Sequence, residues 1–426
     1  MQPTSTLRND MTSPHYSLLA SRRFLPLFCV QFLGAFNDNI FRFALLTLIT
    51  YQFSQAGGID PAKLTMLAAG LFILPFFLFS ASAGLLADRY SKSLCIRYIK
   101  LFELLIMLLA ALALDQQWWY LLFICLALTG LQSALFGPVK YAILPILLSR
   151  QELLVGNALV TAGTFISVLL GTILGGLLII TESGRLWVAS VLCAVALLGY
   201  LASLFIPKTA ATHEQTALSL NFMVSTLRVV RNGLANTEMR SVMLAISYFW
   251  LFAYVMQSQL APMCLQLLAA DESVTVLLLT LFTLGIATGC LLCGRLLAGE
   301  ISLRWVPLAA IGMSLFCFDL YLFLSAYEKT TGALQQWRYV LAEPQYWRLI
   351  LDVFLIALAA GFYIVPLYSY IQYRVDETVR AQVIAANNIL NALFMVTASI
   401  VVLWVLSSGL DLALVMSQIH WLWHRT

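Results

Sequence analysis

Charge is scarce in this chain: Asp, Glu, Lys and Arg make up 10% of its 426 residues, and histidine occurs four times. A net charge of +4 is too small to hold a polyanion, so nucleic acid is excluded as a partner. No Gly-Lys dipeptide occurs, which removes the phosphate-cradling Walker loop and with it ATP hydrolysis by this chain. The eight cysteines stand singly in apolar runs, where cysteine behaves as a small hydrophobe. Cys290 and Cys293 make a C-x-x-C, but no further ligands accompany it, so neither a metal nor another cofactor is expected. Histidines, cysteines and paired carboxylates at catalytic spacing are missing, and an enzyme is therefore not expected.

What is present in quantity is hydrocarbon. Hydrophobic residues make up 61% of the sequence and the mean hydropathy is +0.89, the composition of a polytopic membrane protein. Apolar runs place spanning helices near 24–53, 62–87, 94–114, 118–148, 153–181, 185–206, 242–268, 274–297, 303–326, 349–373, 382–404 and 409–423. The expected fold is an all-α membrane protein of twelve transmembrane helices in two six-helix halves. Its parts are a tail over 1–23, an N-terminal half over 24–206, a cytoplasmic linker over 207–241 and a C-terminal half over 242–426. Basic residues fix the orientation. Arg8, Arg22 and Arg23, then Arg89, Lys92, Arg97 and Lys100, then Lys140 and Arg150, and Lys208 to Arg240 all fall on one side by this count, as do Arg295, Arg304, Arg374, Arg380 and Arg425. Lys63, Arg185, Lys329, Arg338 and Arg348 fall on the other, so both termini are expected in the cytoplasm.

Against this background the polar residues inside the spans stand out. Asn37, Asp38, Asn39 and Arg42 interrupt the first apolar run near its middle, where an ionisable group costs at least ~2.5 kcal/mol to hold. Gln31, Gly34, Asp38 and Arg42 recur at i, i+3, i+7 and i+11 and share one helical face, which cannot point at lipid. Glu103, Lys140, Asn157 and Asn387 are further polar groups within spans. Few charges against broad apolar walls suit an amphiphile better than a sugar or an amino acid. Arg42, Lys140 and Asp38 are expected to hold the polar head of such a molecule, with Asn37, Asn39, Glu103, Asn157 and Asn387 as further substrate-binding candidates. Glu103 also reads as either a protonation site or a partner for a residue of the first span.

Two motifs concern movement. Gly84-Leu85-Leu86-Ala87-Asp88-Arg89-Tyr90-Ser91-Lys92, between the second and third spans, closely resembles the G-x-L-x-D-R-x-x-(R/K) signature of the major facilitator superfamily. Gly294 to Glu300 is its degraded counterpart. Gly84 lets two helices approach while Asp88 can engage a helix N-terminus and nearby arginines, so Gly84, Asp88, Arg89 and Lys92 are candidates for a cytoplasmic gate. Gly171 and Gly175 form a G-x-x-x-G in the fifth span and are expected to pack helices closely. The halves echo each other: Pro138 is followed by Asn157 and Pro366 by Asn387 at similar distances.

The resemblance narrows further. Ala35-Phe36-Asn37-Asp38-Asn39, Phe136-Gly137-Pro138-Val139-Lys140-Tyr141-Ala142-Ile143-Leu144, Gly156-Asn157 with Gly171 to Gly176, and Val365-Pro366-Leu367 together resemble the bacterial lysophospholipid transporter family. That resemblance implies the major facilitator fold. It also implies flipping of lysophospholipids, chiefly lysophosphatidylethanolamine and lysophosphatidylglycerol, across the bacterial inner membrane for reacylation, among membrane lipids and in concert with an acyltransferase and an acyl-carrier-protein synthetase. Neither enzyme is part of this sequence, since no His is followed by Asp five positions later. Asn37, Arg42 and the short last span depart from the family pattern. The other readings are a carrier exporting a hydrophobic drug or peptide, and a non-transporting membrane scaffold for an acyltransferase.

Overall fold

In the computed structural model, residues 17–49, 61–211, 222–297, 300–327 and 334–407 are described. The expected last span, 409–423, lies outside them. Long apolar runs become helices because a backbone in hydrocarbon must satisfy its own N–H and C=O groups. After a short α1 (Ser17–Ala20) come α2 (Leu25–Leu48), α3 (Pro61–Arg89), α4 (Lys92–Gln116), α5 (Trp119–Leu147), α6 (Arg150–Ile179) and α7 (Gly184–Leu204). Then follow α8 (Phe222–Ala235), α9 (Thr237–Pro262, continued by a π turn to Leu267), α10 (Glu272–Leu296), α11 (Val306–Ala326), the short α12 (Trp337–Ala342), α13 (Trp347–Arg374) and α14 (Arg380–Ser407).

Nine of the described helices are long and apolar enough to cross a membrane. The long helices α2 and α4 are not among them, because α2 carries Asn37, Asp38, Asn39 and Arg42, and α4 carries Lys92, Arg97, Lys100 and Glu103. Two places differ from the sequence expectation. The stretch 207–241 contains a helix of its own, α8, and α9 begins inside it at Thr237. Lys100, counted above with the basic residues of the cytoplasmic side, is fully buried within α4.

Helices α2 to α7 pack on one another, as do α9, α10, α11, α13 and α14; the two groups meet along two seams, α3 with α14 and α6 with α10. Small residues set the close approaches. A Cβ on Gly171 would lie 2.5 Å from Phe36 O on α2, and one on Gly285 would lie 2.6 Å from Phe354 O on α13. Proline falls inside α5 at Pro138 and inside α13 at Pro366, so both helices carry interruptions at their wall of the interior.

Candidate functional site

The polar face of α2 opens onto a cavity of ≈ 340 Å³ between the two groups of helices. Gln31, Gly34, Asp38 and Arg42 form one wall, and α5 supplies Gln132, Ser133, Phe136 and Lys140 opposite. Phe72, Ile73 and Phe76 of α3 and Asn388, Asn391 and Met395 of α14 close one side. The lining is thus largely aromatic and aliphatic with a few converging charges.

Those charges are unequally matched. Lys100 Nζ donates to Glu103 Oε2 at 2.5 Å, one helical turn along α4, and neither side chain reaches solvent. Gln132 Nε2 donates to the same oxygen at 2.8 Å, and Asn37 Nδ2 reaches Glu103 Oε1 at 3.5 Å. Glu103 is therefore committed to a network behind the wall. Asp38 Oδ2 accepts from Ser133 Oγ at 2.5 Å while its Oδ1 has no hydrogen-bond partner. Arg42 does not form an ion pair with Asp38 among the described residues; its Nη2 donates to Asn39 Oδ1 at 2.8 Å. Lys140 has no carboxylate partner among the described residues, and its ammonium lies 4.6 Å from the centre of the Tyr141 ring and 6.0 Å from that of Phe136. Three cations, Arg42, Lys100 and Lys140, thus face two carboxylates, Asp38 and Glu103, which leaves the chamber attractive to an anion.

Toward the end that carries Arg89, Arg150 and Arg374, called the basic end below, three layers close the two groups against each other. Tyr141 of α5 and Tyr368 of α13 stack at 4.4 Å between ring centres, and Trp250 Nε1 holds the Tyr368 hydroxyl at 2.9 Å. Below them Asn157 Nδ2 donates to Gln372 Oε1 at 2.7 Å and Gln372 Nε2 returns a bond to Asn157 Oδ1 at 2.9 Å. Last, Asp88 accepts from the backbone N–H groups of Ala381 at 2.9 Å and Gln382 at 3.0 Å, the first turn of α14. A carboxylate there meets unsatisfied donors and the positive end of the helix dipole. Gly84 makes room for it: an added Cβ would lie 2.8 Å from Ala385 Cβ and 2.9 Å from Ala381 O.

Of the sequence candidates, Asp38, Arg42 and Lys140 line the cavity. Asn37 and Glu103 stand behind its wall, Asn39 orients Arg42, and Asn157 joins α6 to α13 outside it. Asn387 does not line the cavity; both its amide atoms are buried without partners, and Asn388 and Asn391 take the place expected for it. Lys92 is fully buried beside the latch and its ammonium has no hydrogen-bond partner, while Arg89 is exposed with its guanidinium over Tyr90. Gly171 and Gly175 both lie against α2. Sequence reasoning missed Lys100, Ser133 and the Tyr141–Tyr368 stack. The i, i+3 spacing of Lys100 and Glu103 was a readable signal for the first.

The arrangement has relatives. The lysophospholipid transporter LplT of Citrobacter koseri is 27% identical over 381 residues, covering 87% of this chain and 85% of that one. LplT of Serratia proteamaculans is 26% identical over 391 residues, 89% and 87%. Among solved structures, the human organic anion transporter MFSD10 superposes with a TM-score of 0.72 at 15% identity, covering 94% of this chain and 97% of that one. The Escherichia coli fucose:proton symporter FucP gives 0.68 at 13% identity, covering 94% and 95%. The sequence profile of the Major Facilitator Superfamily matches residues 27–399. A multi-pass helical chain with a cavity between two groups of helices, latched at one end by a carboxylate on a facing helix, belongs to the Major Facilitator Superfamily and is a secondary transporter, not an enzyme.

Proposed function

We propose that this chain moves lysophospholipids such as lysophosphatidylethanolamine across the bacterial inner membrane, delivering them for reacylation by an acyltransferase. The observation that carries this reading is Lys140, a cation without a carboxylate partner among the described residues, in a chamber whose walls are otherwise mostly apolar. The phosphate sits at Lys140 with Arg42 in support, the ammonium or glycerol hydroxyl turns to the free oxygen of Asp38, and the acyl chain runs along Phe72, Ile73, Phe76 and Met395. Similarity to LplT over most of the chain supports the same substrate class.

Residues 24–206 and 242–426 act as two rocking halves joined by 207–241, with the basic end in the cytoplasm as the distribution of Lys and Arg favours. Stacked rings, amide pair and latch are all closed at that end, so the arrangement receives its cargo from the outer leaflet. Gly84, Asp88, Arg89 and Lys92 make up the gate that opens at that end in each cycle.

Inward flipping of labelled lysophosphatidylethanolamine in vesicles tests the reading. A charge-assisted contact is worth ~1.5–3 kcal/mol, so Lys140→Gln raises the apparent KM roughly 10–100-fold while Lys140→Arg keeps most of the affinity. A folded parent that does not flip the lipid overturns the proposal. Efflux of apolar compounds without a phosphate would put a drug-like carrier in its place.

A further inference from the structure

Helix α8 is an unusual use of a connecting segment. Its C-terminal end meets α9 at the basic end, where Asn236 caps α9 by accepting from Glu238 N and Met239 N. Its other end goes deep: Thr226 Oγ1 donates to Phe77 O, and Phe77 stands twelve residues before the end of α3 at Arg89, roughly 18 Å along the helix axis. Farther down, Gly233 lies against Ala386, six residues into α14, where an added Cβ would be 3.0 Å from Ala386 Cβ and 3.4 Å from Met243 Cε of α9. The helix therefore slopes into the membrane along the outside of the α3–α14 seam.

Its sequence suits that position. Thr226, Val229, Val230, Gly233 and Leu234 recur at i, i+3, i+4, i+7 and i+8 and face the seam. Leu227, Arg228 and Arg231 face away and are exposed, an apolar residue with two guanidiniums of the kind that settle at an anionic headgroup layer. The seam that α8 covers is also a wall of the substrate cavity. Phe76, one residue from the α8 contact at Phe77, lines the chamber, as does Asn388, two residues from Ala386.

We propose that α8 is a lateral gate on the path from the cavity, between α3 and α14, to the inner leaflet. The geometry demands a movement. α8 touches both rims of the seam, so when α3 and α14 part at the basic end it must release one of them. The rim it keeps is α14, since it runs directly into α9 and packs on Met243 and Ala386 together; the rim it leaves is α3, held by Thr226. A two-part lipid can then leave sideways, its phosphate passing Arg228 and Arg231 while its chain never enters water. The cargo in this account rests on the lipid-substrate reading above; the movement of α8 does not.

Two staples separate a gate from a mere strut. In Thr226→Cys/Phe77→Cys, joined by a short bifunctional methanethiosulfonate that bonds each thiol as a disulfide, α8 is fixed to α3, and flipping of labelled lysophosphatidylethanolamine stops and returns on reduction. In Gly233→Cys/Ala386→Cys, whose Cβ positions lie 3.0 Å apart and whose thiols are oxidised directly to a disulfide, α8 is fixed to the rim it keeps, and flipping continues at the parental rate. Parental flipping with the first staple closed overturns the proposal. A substrate-independent measurement accompanies this: spin labels on Leu227 and Leu74 move apart in an Asp88→Ala background while labels on Leu227 and Leu393 hold their distance. If neither distance changes, α8 is not a gate, whatever the cargo.

Discussion

Lys100 and Glu103 form an ion pair that is closed to solvent on every side, with Gln132 as a third member that reaches it from another helix. Its members gain little against a purely apolar packing but lose much when separated, because each single removal leaves an uncompensated charge in a region without water. Glu103→Gln and Lys100→Met are each expected to destabilise the folded protein by about 3–5 kcal/mol. The double variant recovers most of that loss. Thermal unfolding in detergent of the two single variants and the double variant measures the coupling directly.

Asp38 differs from Glu103 in having an oxygen to spare. With Oδ1 unpartnered and Oδ2 held by Ser133, it is the group proposed above to accept from a cationic headgroup. Asp38→Asn is expected to weaken binding of lysophosphatidylethanolamine about tenfold and that of lysophosphatidylglycerol by less, since a hydroxyl needs no counter-charge. Competition of the two lipids for one transport assay gives the ratio. Equal losses would show that Asp38 shapes the chamber without reading the headgroup.

At the basic end, Gly84 is the position where side-chain bulk has most leverage. A valine there cannot be accommodated beside Ala381 O and Ala385 Cβ without moving α3 from α14. Overpacking costs ~1–3 kcal/mol, which tilts the opening equilibrium by roughly 5- to 150-fold. Ser369, fully buried where α13 meets Asn157 of α6 at the same end, reports it: in Gly84→Val the labelling of Ser369→Cys by a water-soluble thiol reagent accelerates. Unchanged labelling would mean that this contact does not hold the end closed.

Gly171 makes the corresponding test within one group of helices. Its missing side chain lets α6 lie on the backbone of α2 at Phe36, next to the polar stretch. Gly171→Leu is expected to push Asp38 out of reach of Ser133, lowering transport far more than it lowers the amount of protein in the membrane. Transport that falls only in proportion to expression would contradict this.

How much of this was legible beforehand depended on helical phase. Gln31, Gly34, Asp38 and Arg42 announced a shared face through spacing alone, and all four line the cavity. On α14 the echo of Pro138 and Asn157 in Pro366 and Asn387 chose Asn387, one residue and about 100° away from Asn388, because an apolar run with several asparagines does not say which face its neighbours will cover. Lys100 was counted with the basic residues of the cytoplasmic side although it falls within the expected span 94–114; Glu103 one turn later is what allows it inside. Helix α8 was hidden by Arg228, Arg231 and Asn232, which depress hydropathy, although its apolar positions keep a helical period. Superfamily membership was written in the Gly84 to Lys92 loop, but the partner of Asp88, the first turn of α14, lies almost three hundred positions away and is a matter of tertiary structure.

The Tyr141–Tyr368 stack has a consequence for turnover. One ring comes from each group of helices, and the ammonium of Lys140 rests against the first of them. When the two groups separate at the basic end, Tyr141 loses the ring that fixes its orientation, and Lys140 loses a fixed π face and gains water. If Lys140 holds the phosphate as proposed, the strength of that site and the closure of the exit are a single variable, so that the carrier holds its cargo most tightly while escape is barred and least tightly once the way out has opened.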